Sequence, residues 1–436
     1  MKKITTIIAS ISLAVGLSAQ IAPSKNPSLK IKKNKVIMTG NEALSHLMVN
    51  PNPNTSPVLN SSAINEEVIG KTFYDLQSNS CLQNRIHVND DGTISAAWTM
   101  SQLQALTFLD RGTGYNFFDG TAWGTQPTTR LESSRTGWPS MIIMGSGKEA
   151  SITHNTDNTY VQMTHRTAAG TGTWTEQIIS SGTPGSYQDL TWNRTAVGGT
   201  NNESLHMIAI ANAADTVNLL YGIRNALVYY RSQDEGATWD IQDMQLPTMD
   251  SANFNYFNGD SYAIAAQGET VVVAYFNEWA DSFIIKSTDN GDTWTRTTFL
   301  DFPIDKYNVD DGLDLNGDIV TQVFSTDGYG TVLIDEVGDA HVFYGIMRFQ
   351  DDDLTDEQYS WFPGTNGIGY WNESFGEDVT PAAAQDYAGT DSALWYSDMM
   401  IEHWITEVPD LNGDCEVNGV DIGGGDYSSG RASMPS

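Results

Sequence analysis

Two octads decide the fold: Ser232-Gln233-Asp234-Glu235-Gly236-Ala237-Thr238-Trp239 and Ser287-Thr288-Asp289-Asn290-Gly291-Asp292-Thr293-Trp294. Both read S-x-D-x-G-x-T-W. Ser and Asp side chains can bond nearby backbone N–H groups and close a turn. Gly supplies a positive φ, and Trp offers a large face for packing between sheets. Each octad follows a short apolar run, Leu227–Tyr230 or Phe283–Ile285, so each predicts a β-hairpin.

Working outward, the same grammar recurs without the full motif. A Gly-bearing or polar turn precedes an apolar, β-branched strand at Thr93–Trp98, Ala150–His154, Leu205–Ile210, Thr270–Phe276 and His341–Ile346. The repeat is roughly 55 to 70 residues, enough for four strands and too regular for independent domains. No stretch sustains a 3.6-residue apolar period, so helices should be few. Ser429–Ser436 echoes Ser134–Met141, as though a sixth blade were beginning.

The octads resemble Asp-boxes, the turn motif of sialidase-type (bacterial-neuraminidase-repeat) propellers, where the box joins the third and fourth strands of a blade. The resemblance covers about residues 68–436 and implies blades at about 83–133, 134–183, 186–250, 255–303 and 322–385. It implies an all-β, six-bladed-type β-propeller of four-stranded antiparallel blades, incomplete at its C-terminus. Val68–Leu76 would be a closing strand, with Trp239 and Trp294 mostly buried. Sialidases of this type hold a carboxylate with three Arg and use a Tyr nucleophile assisted by Glu, with an Asp acid/base. Asn84-Arg85-Ile86-His87 is similar to the first-blade motif Phe/Tyr-Arg-Ile-Pro, without its Pro, and Arg85 would match the arginine. Asp110 and Glu278 are loop carboxylates that could act as acid and base. The starts of blades four and five carry no Arg, so the resemblance implies a glycan-binding or glycan-associated propeller without an intact sialidase site. The alternatives are an exo-sialidase-type hydrolase and a structural or adhesion module.

A separate pattern comes from the blade starts. Arg85, Arg135, Arg194 and Arg431 fall near the first strands of blades one, two, three and six, neighbours in a closed ring, and could form one anion site. Asp410, Asn412, Asp414, Asn418 and Asp421, with the Glu416 carbonyl, place oxygens at the spacing of a calcium loop. That segment resembles the loop of dockerin modules, although Cys415 stands where the turn wants Gly. Asp314–Asp318 is a shorter echo that lacks later ligands.

The remaining features bound the class. Lys2 and Lys3, the apolar Ile4–Val15 and the small residues Leu17-Ser18-Ala19 predict a signal peptide over 1–19 and hence secretion. Residues 20–60 read as a leader and linker, and the domain as 61–436. Net charge is −32, and the first 36 residues hold seven Lys and no acid. The body beyond them is therefore more acidic still, which argues against nucleic acid and anionic membranes as partners; carbohydrate or another anionic glycan is the partner that the resemblance implies. No later segment reaches the ~20 apolar residues of a membrane span. Cys81 and Cys415 permit one disulfide. There is no P-loop, G-x-S-x-G or H-E-x-x-H. Trp279 and Trp361 could stack on sugars, although packing between blades is the commoner use of such residues.

Overall fold

The computed structural model describes residues 67–377, apart from 75, 79, 105–106, 156–159, 181–188, 213–218, 303–304, 308–322, 352–354 and 356–357. The described chain forms five successive antiparallel meanders. The first sheet holds β1 (Ile86–Val88), β2 (Ile94–Met100) and β3 (Gly112–Phe118). The second holds β4 (Thr136–Ile143), β5 (Glu149–Asn155), β6 (Val161–Arg166) and β7 (Thr175–Ser180). The third holds β8 (Asp189–Gly198), β9 (Ser204–Asn212), β10 (Asn225–Ser232) and β11 (Ile241–Gln245). The fourth holds β12 (Tyr262–Gln267), β13 (Thr270–Tyr275), β14 (Ser282–Ser287) and β15 (Thr295–Leu300). The fifth holds β16 (Val323–Ile334), β17 (Ala340–Gln350) and β18 (Ser360–Asn372). The one helical element among the described residues is a single 3-10 turn, Glu373–Phe375.

The first strands of all five sheets line one cavity of about 370 Å3, with Asn84, Ile142, Ala196, Ile264 and Val332 on its walls. Radial sheets around a shared axis make this a β-propeller. Middle strands of the second, third and fourth sheets are buried on both faces, because each of these sheets lies between two others. β9 reads Ser-Leu-His-Met-Ile-Ala-Ile-Ala-Asn and β13 Thr-Val-Val-Val-Ala-Tyr, near-continuous rather than alternating. One apolar cluster joins sheets two to four, and a second joins sheets four and five. Each large side chain buried this way is worth about 1.5–3 kcal/mol.

Two expectations need adjustment. The first and fifth sheets have three strands, not four, among the described residues; after β3 the chain makes only an isolated bridge, Phe118 to Trp123. The segment Val68–Leu76 is not a strand. It crosses the first sheet, where Gly70 lies against the Trp98 ring and Ile69 O accepts from Asn116 Nδ2 at 2.6 Å. Trp239 and Trp294 are mostly buried, as expected, and pack against the apolar cluster of sheets two to four. The echo at 429–436 lies outside the described residues.

The two octads do what their chemistry dictates. They join β10 to β11 and β14 to β15, the third and fourth strands of their sheets. Asp234 accepts from Thr238 N at 2.7 Å and Thr238 Oγ1 at 2.6 Å, while Ser232 Oγ accepts from Gly236 N at 2.8 Å. Asp289, Thr293, Ser287 and Gly291 repeat this at 2.8, 2.6 and 2.8 Å. Gly236 and Gly291 have φ of 80° and 90°. Each glycine also meets the preceding sheet. A Cβ at Gly236 would lie 2.7 Å from Met163 Cε, and one at Gly291 2.2 Å from Tyr229 Oη.

A second repeated device positions the site. Four first strands carry a left-handed residue, near the start of β4 and β8 (Trp138, φ 50°; Trp192, 53°), just before β12 (Asp260, 69°) and midway along β16 (Gly328, 80°). In β4, β8 and β16 the register shifts at that point. These bulges turn side chains toward one end of the axis. For a bulky residue such as Trp a positive φ is an outlier that costs about 1–3 kcal/mol, and such strain collects at functional sites.

Candidate functional site

Arg194 follows the β8 bulge. It is buried, and its Nη2 donates to Asp260 Oδ1 at 2.6 Å and to Cys81 O at 2.5 Å. Its Nη1 donates to the carbonyls of Trp192 and Asn193. Arg85, just before β1, donates through Nη2 to Gln77 O at 2.7 Å and Gln83 Oε1 at 3.1 Å. Burial and then the neighbouring Arg194 charge lower the Arg85 guanidinium to about 9, with Asp260 opposing them. Arg85 Nε and Nη1 and Arg194 Nε are buried without an acceptor among the described residues.

A third cation stands at the same end. Arg111, at the start of β3, lies over Trp138 at 4.6 Å and Tyr74 at 5.0 Å, and its Nε donates to Thr136 O at 3.0 Å. Between Arg111 and Arg194 sits His154, the penultimate residue of β5. Its ring stacks on Trp138 at 5.3 Å, and its Nδ1 accepts from Trp192 N at 3.2 Å. Burial, then the charges of Arg111 and Arg194, lower its pKa to about 3. The imidazole is therefore neutral. With Nδ1 an acceptor, the proton lies on Nε2, making that atom a donor.

Cys81 is buried in the same neighbourhood, its Sγ 3.9 Å from Gly328 O. Burial pushes the thiol up to about 12, so it stays protonated and is no nucleophile. Glu278 lies in the β13–β14 loop, buried, and accepts from Asn258 Nδ2 at 3.1 Å. A Cβ on Gly328 would sit 3.5 Å from its Oε1. Burial and the Glu278 charge both raise the phenol of Tyr256.

The structure thus brings Arg85 and Arg194 together. Arg135 stands apart: its Nε and Nη2 donate to the carbonyls of Phe108 and Thr107. Asp110 accepts from Ser101 Oγ at 2.5 Å and from the amides of Gln102 and Leu103. Burial pushes its carboxyl up, but these bonds together bring it below the usual range, which suits a loop clamp better than a proton donor. Arg431, the calcium-spaced residues from Asp410 to Asp421, the echo at 314–318 and Cys415 lie outside the described residues. Trp279 offers no open face. It is buried, stacked on Tyr307 at 4.8 Å and flanked by Phe302, Phe349 and Tyr359.

Sequence reasoning missed Arg111, His154, Asp260 and Trp192. Trp192 and Asp260 stand in the strings Thr191–Arg194 and Gly259–Ser261 near the starts of first strands, but residue types alone do not mark their roles, and no string marks Arg111 or His154.

No family model matches this chain, and no curated protein is similar to it. Among solved structures it is similar to a thermostable family-43 glycoside hydrolase at 10% identity, covering 69% of this chain and 92% of that one, with a TM-score of 0.36. It is also similar to an alpha-L-arabinofuranosidase from Lactobacillus brevis, at 11% identity over 69% and 92% with a TM-score of 0.37. The intramolecular trans-sialidase from Ruminococcus gnavus is similar at 10% identity over 61% and 50%, with a TM-score of 0.35. Among the described residues no helix is long and apolar enough to cross a membrane, and no group of His, Cys, Asp or Glu is placed to hold a metal ion.

Proposed function

We propose that this protein is an exported propeller that binds an acidic glycan at the axial end where Arg85, Arg111 and Arg194 gather. One observation carries this reading. Among the described residues, buried guanidinium N–H groups of Arg85 and Arg194 lack acceptors, and Asp260 is the carboxylate acting on both. An unsatisfied buried donor is costly, and a bound carboxylate or sulfate would relieve it. The positive charge stands out in a chain of net charge −32. An array of uronate-containing, sialylated, sulfated and neutral glycans tests the proposal. Binding should be confined to the acidic members and fall at least about tenfold in Arg85→Gln, the scale of one lost charged hydrogen bond. Equal binding of neutral glycans would overturn it.

Hydrolysis is the second reading, favoured by the proximity of Tyr256 to the buried Glu278, a phenol beside a carboxylate at the same end. Sugar release from sialylated or uronic substrates that disappears in Glu278→Gln would establish it, and no release from either would leave binding alone. The export signal over 1–19 and a calcium ion held by Asp410, Asn412, Asp414, Glu416, Asn418 and Asp421 belong to this proposal on sequence grounds. Calcium uptake unchanged in Asp410→Ala/Asp414→Ala would remove the ion from it.

A further inference from the structure

We propose that the site reads a sugar ring as well as an anion, with Trp192 as the stacking platform and the His154 Nε2–H as a fixed donor to a ring hydroxyl. This rests on the acidic-glycan reading and names its ligand class, a hexuronate-type residue.

Trp192 holds a φ of 53°, and it is half-buried. One face is backed by chain: a Cβ at Gly259 would lie 2.8 Å from the Trp192 ring, so only glycine fits there. The next residue, Asp260, is the partner of Arg194. The indole and the guanidinium therefore flank the same two-residue segment. The Trp192 carbonyl is fixed by Tyr262 Oη at 2.6 Å and its amide by His154 Nδ1. The indole packs in part against the apolar cluster of sheets two to four and keeps an exposed portion. Among the described residues neither the Trp192 indole N–H nor His154 Nε2 has a hydrogen-bond partner, although His154 is only 2% exposed. A polarised aromatic face, a neutral donor and guanidinium groups within one neighbourhood match a ring that carries hydroxyls and one carboxylate. A bare anion would use only the last of these.

Calorimetry with D-galacturonate, acetate and D-galactose on the full chain separates the possibilities. The wild type should bind galacturonate about tenfold more tightly than acetate, and galactose weakly. That ratio should hold from pH 5 to 8, where His154 keeps one protonation state. In Trp192→Gly, which suits the left-handed backbone, the ratio should collapse toward one. In Trp192→Phe most of the ratio should remain. If Trp192→Gly fails to fold, Trp192→Leu fills the space without an aromatic face and should give the same collapse. Equal binding of acetate and galacturonate by the wild type, or an unchanged ratio in Trp192→Gly and Trp192→Leu, would overturn the ring reading and leave the anion site intact. If none of the anions binds, and Arg85→Gln is indistinguishable from wild type, the acidic-glycan reading fails and this one with it.

Discussion

At the residue scale, two buried imidazoles tie stability to pH. His154 is lowered to about 3 by burial and by two arginines, and His206 to about 4 by burial and then Arg231. His206 shares a 2.6 Å hydrogen bond with Tyr229 Oη inside the third sheet. Both rings take up protons near 6.5 in the unfolded chain but not in the folded one. The unfolded state therefore binds more protons between about 6.5 and 4, and stability falls as pH falls through that window. It is complete above about 6.5. Each histidine contributes up to ~1.4 kcal/mol per pH unit. Denaturant midpoints from pH 7.5 to 4.5 should drop, and His206→Asn should flatten the slope. A pH-independent midpoint over that range would show that neither ring is held neutral by the fold.

At the element scale, the S-x-D-x-G-x-T-W turns are the strongest local bargain in the molecule. Asp289 accepts from the Thr293 hydroxyl and amide, from Ser287 Oγ and from Asp292 N, and its carboxyl is held near 2, chiefly by the Thr293 hydroxyl. The turn also joins sheets. Arg231 of β10 reaches across to Asn290 O at 2.8 Å and Asp292 Oδ1 at 2.7 Å, and the Trp294 ring meets Tyr229 edge-on at 4.9 Å. Asp289→Ala should lower the unfolding free energy by about 1–3 kcal/mol, with an unchanged denaturant slope. Asp289→Asn should recover part of that. If both variants unfold at the wild-type midpoint, the motif is ornamental. These turns were legible in sequence because their bonds span at most four residues. The arginine pair was half legible, since the starts of strands can be counted but their side-chain directions cannot. Arg135 looked equivalent to Arg194, yet the β8 bulge turns one toward Asp260, while the other reaches the carbonyls of the β2–β3 loop. His154 and Trp192 were hidden because their roles depend on register shifts in two separate sheets, which residue types alone do not fix.

At the scale of the whole molecule, the charge distribution sets how a ligand arrives. A basic patch on a basic protein draws anions in, and added salt weakens it. Here the local positive site lies within a chain of net charge −32, so an approaching acidic glycan meets repulsion before it meets arginine. The screening length falls from ~30 Å at 0.01 M salt to ~8 Å at 0.15 M. Salt therefore removes the long-range repulsion, while the contacts of buried guanidinium groups are screened far less. The association rate for an acidic oligosaccharide should rise between 10 and 150 mM NaCl, with little change in the dissociation rate, so affinity should rise as well. The same screening relaxes self-repulsion and should raise the thermal midpoint over that range. Stopped-flow binding at three salt concentrations reads the sign directly. An association rate that falls as salt rises would mean that the ligand is drawn to an exposed basic surface instead, and would place the binding site away from the axial end where Arg85 and Arg194 meet.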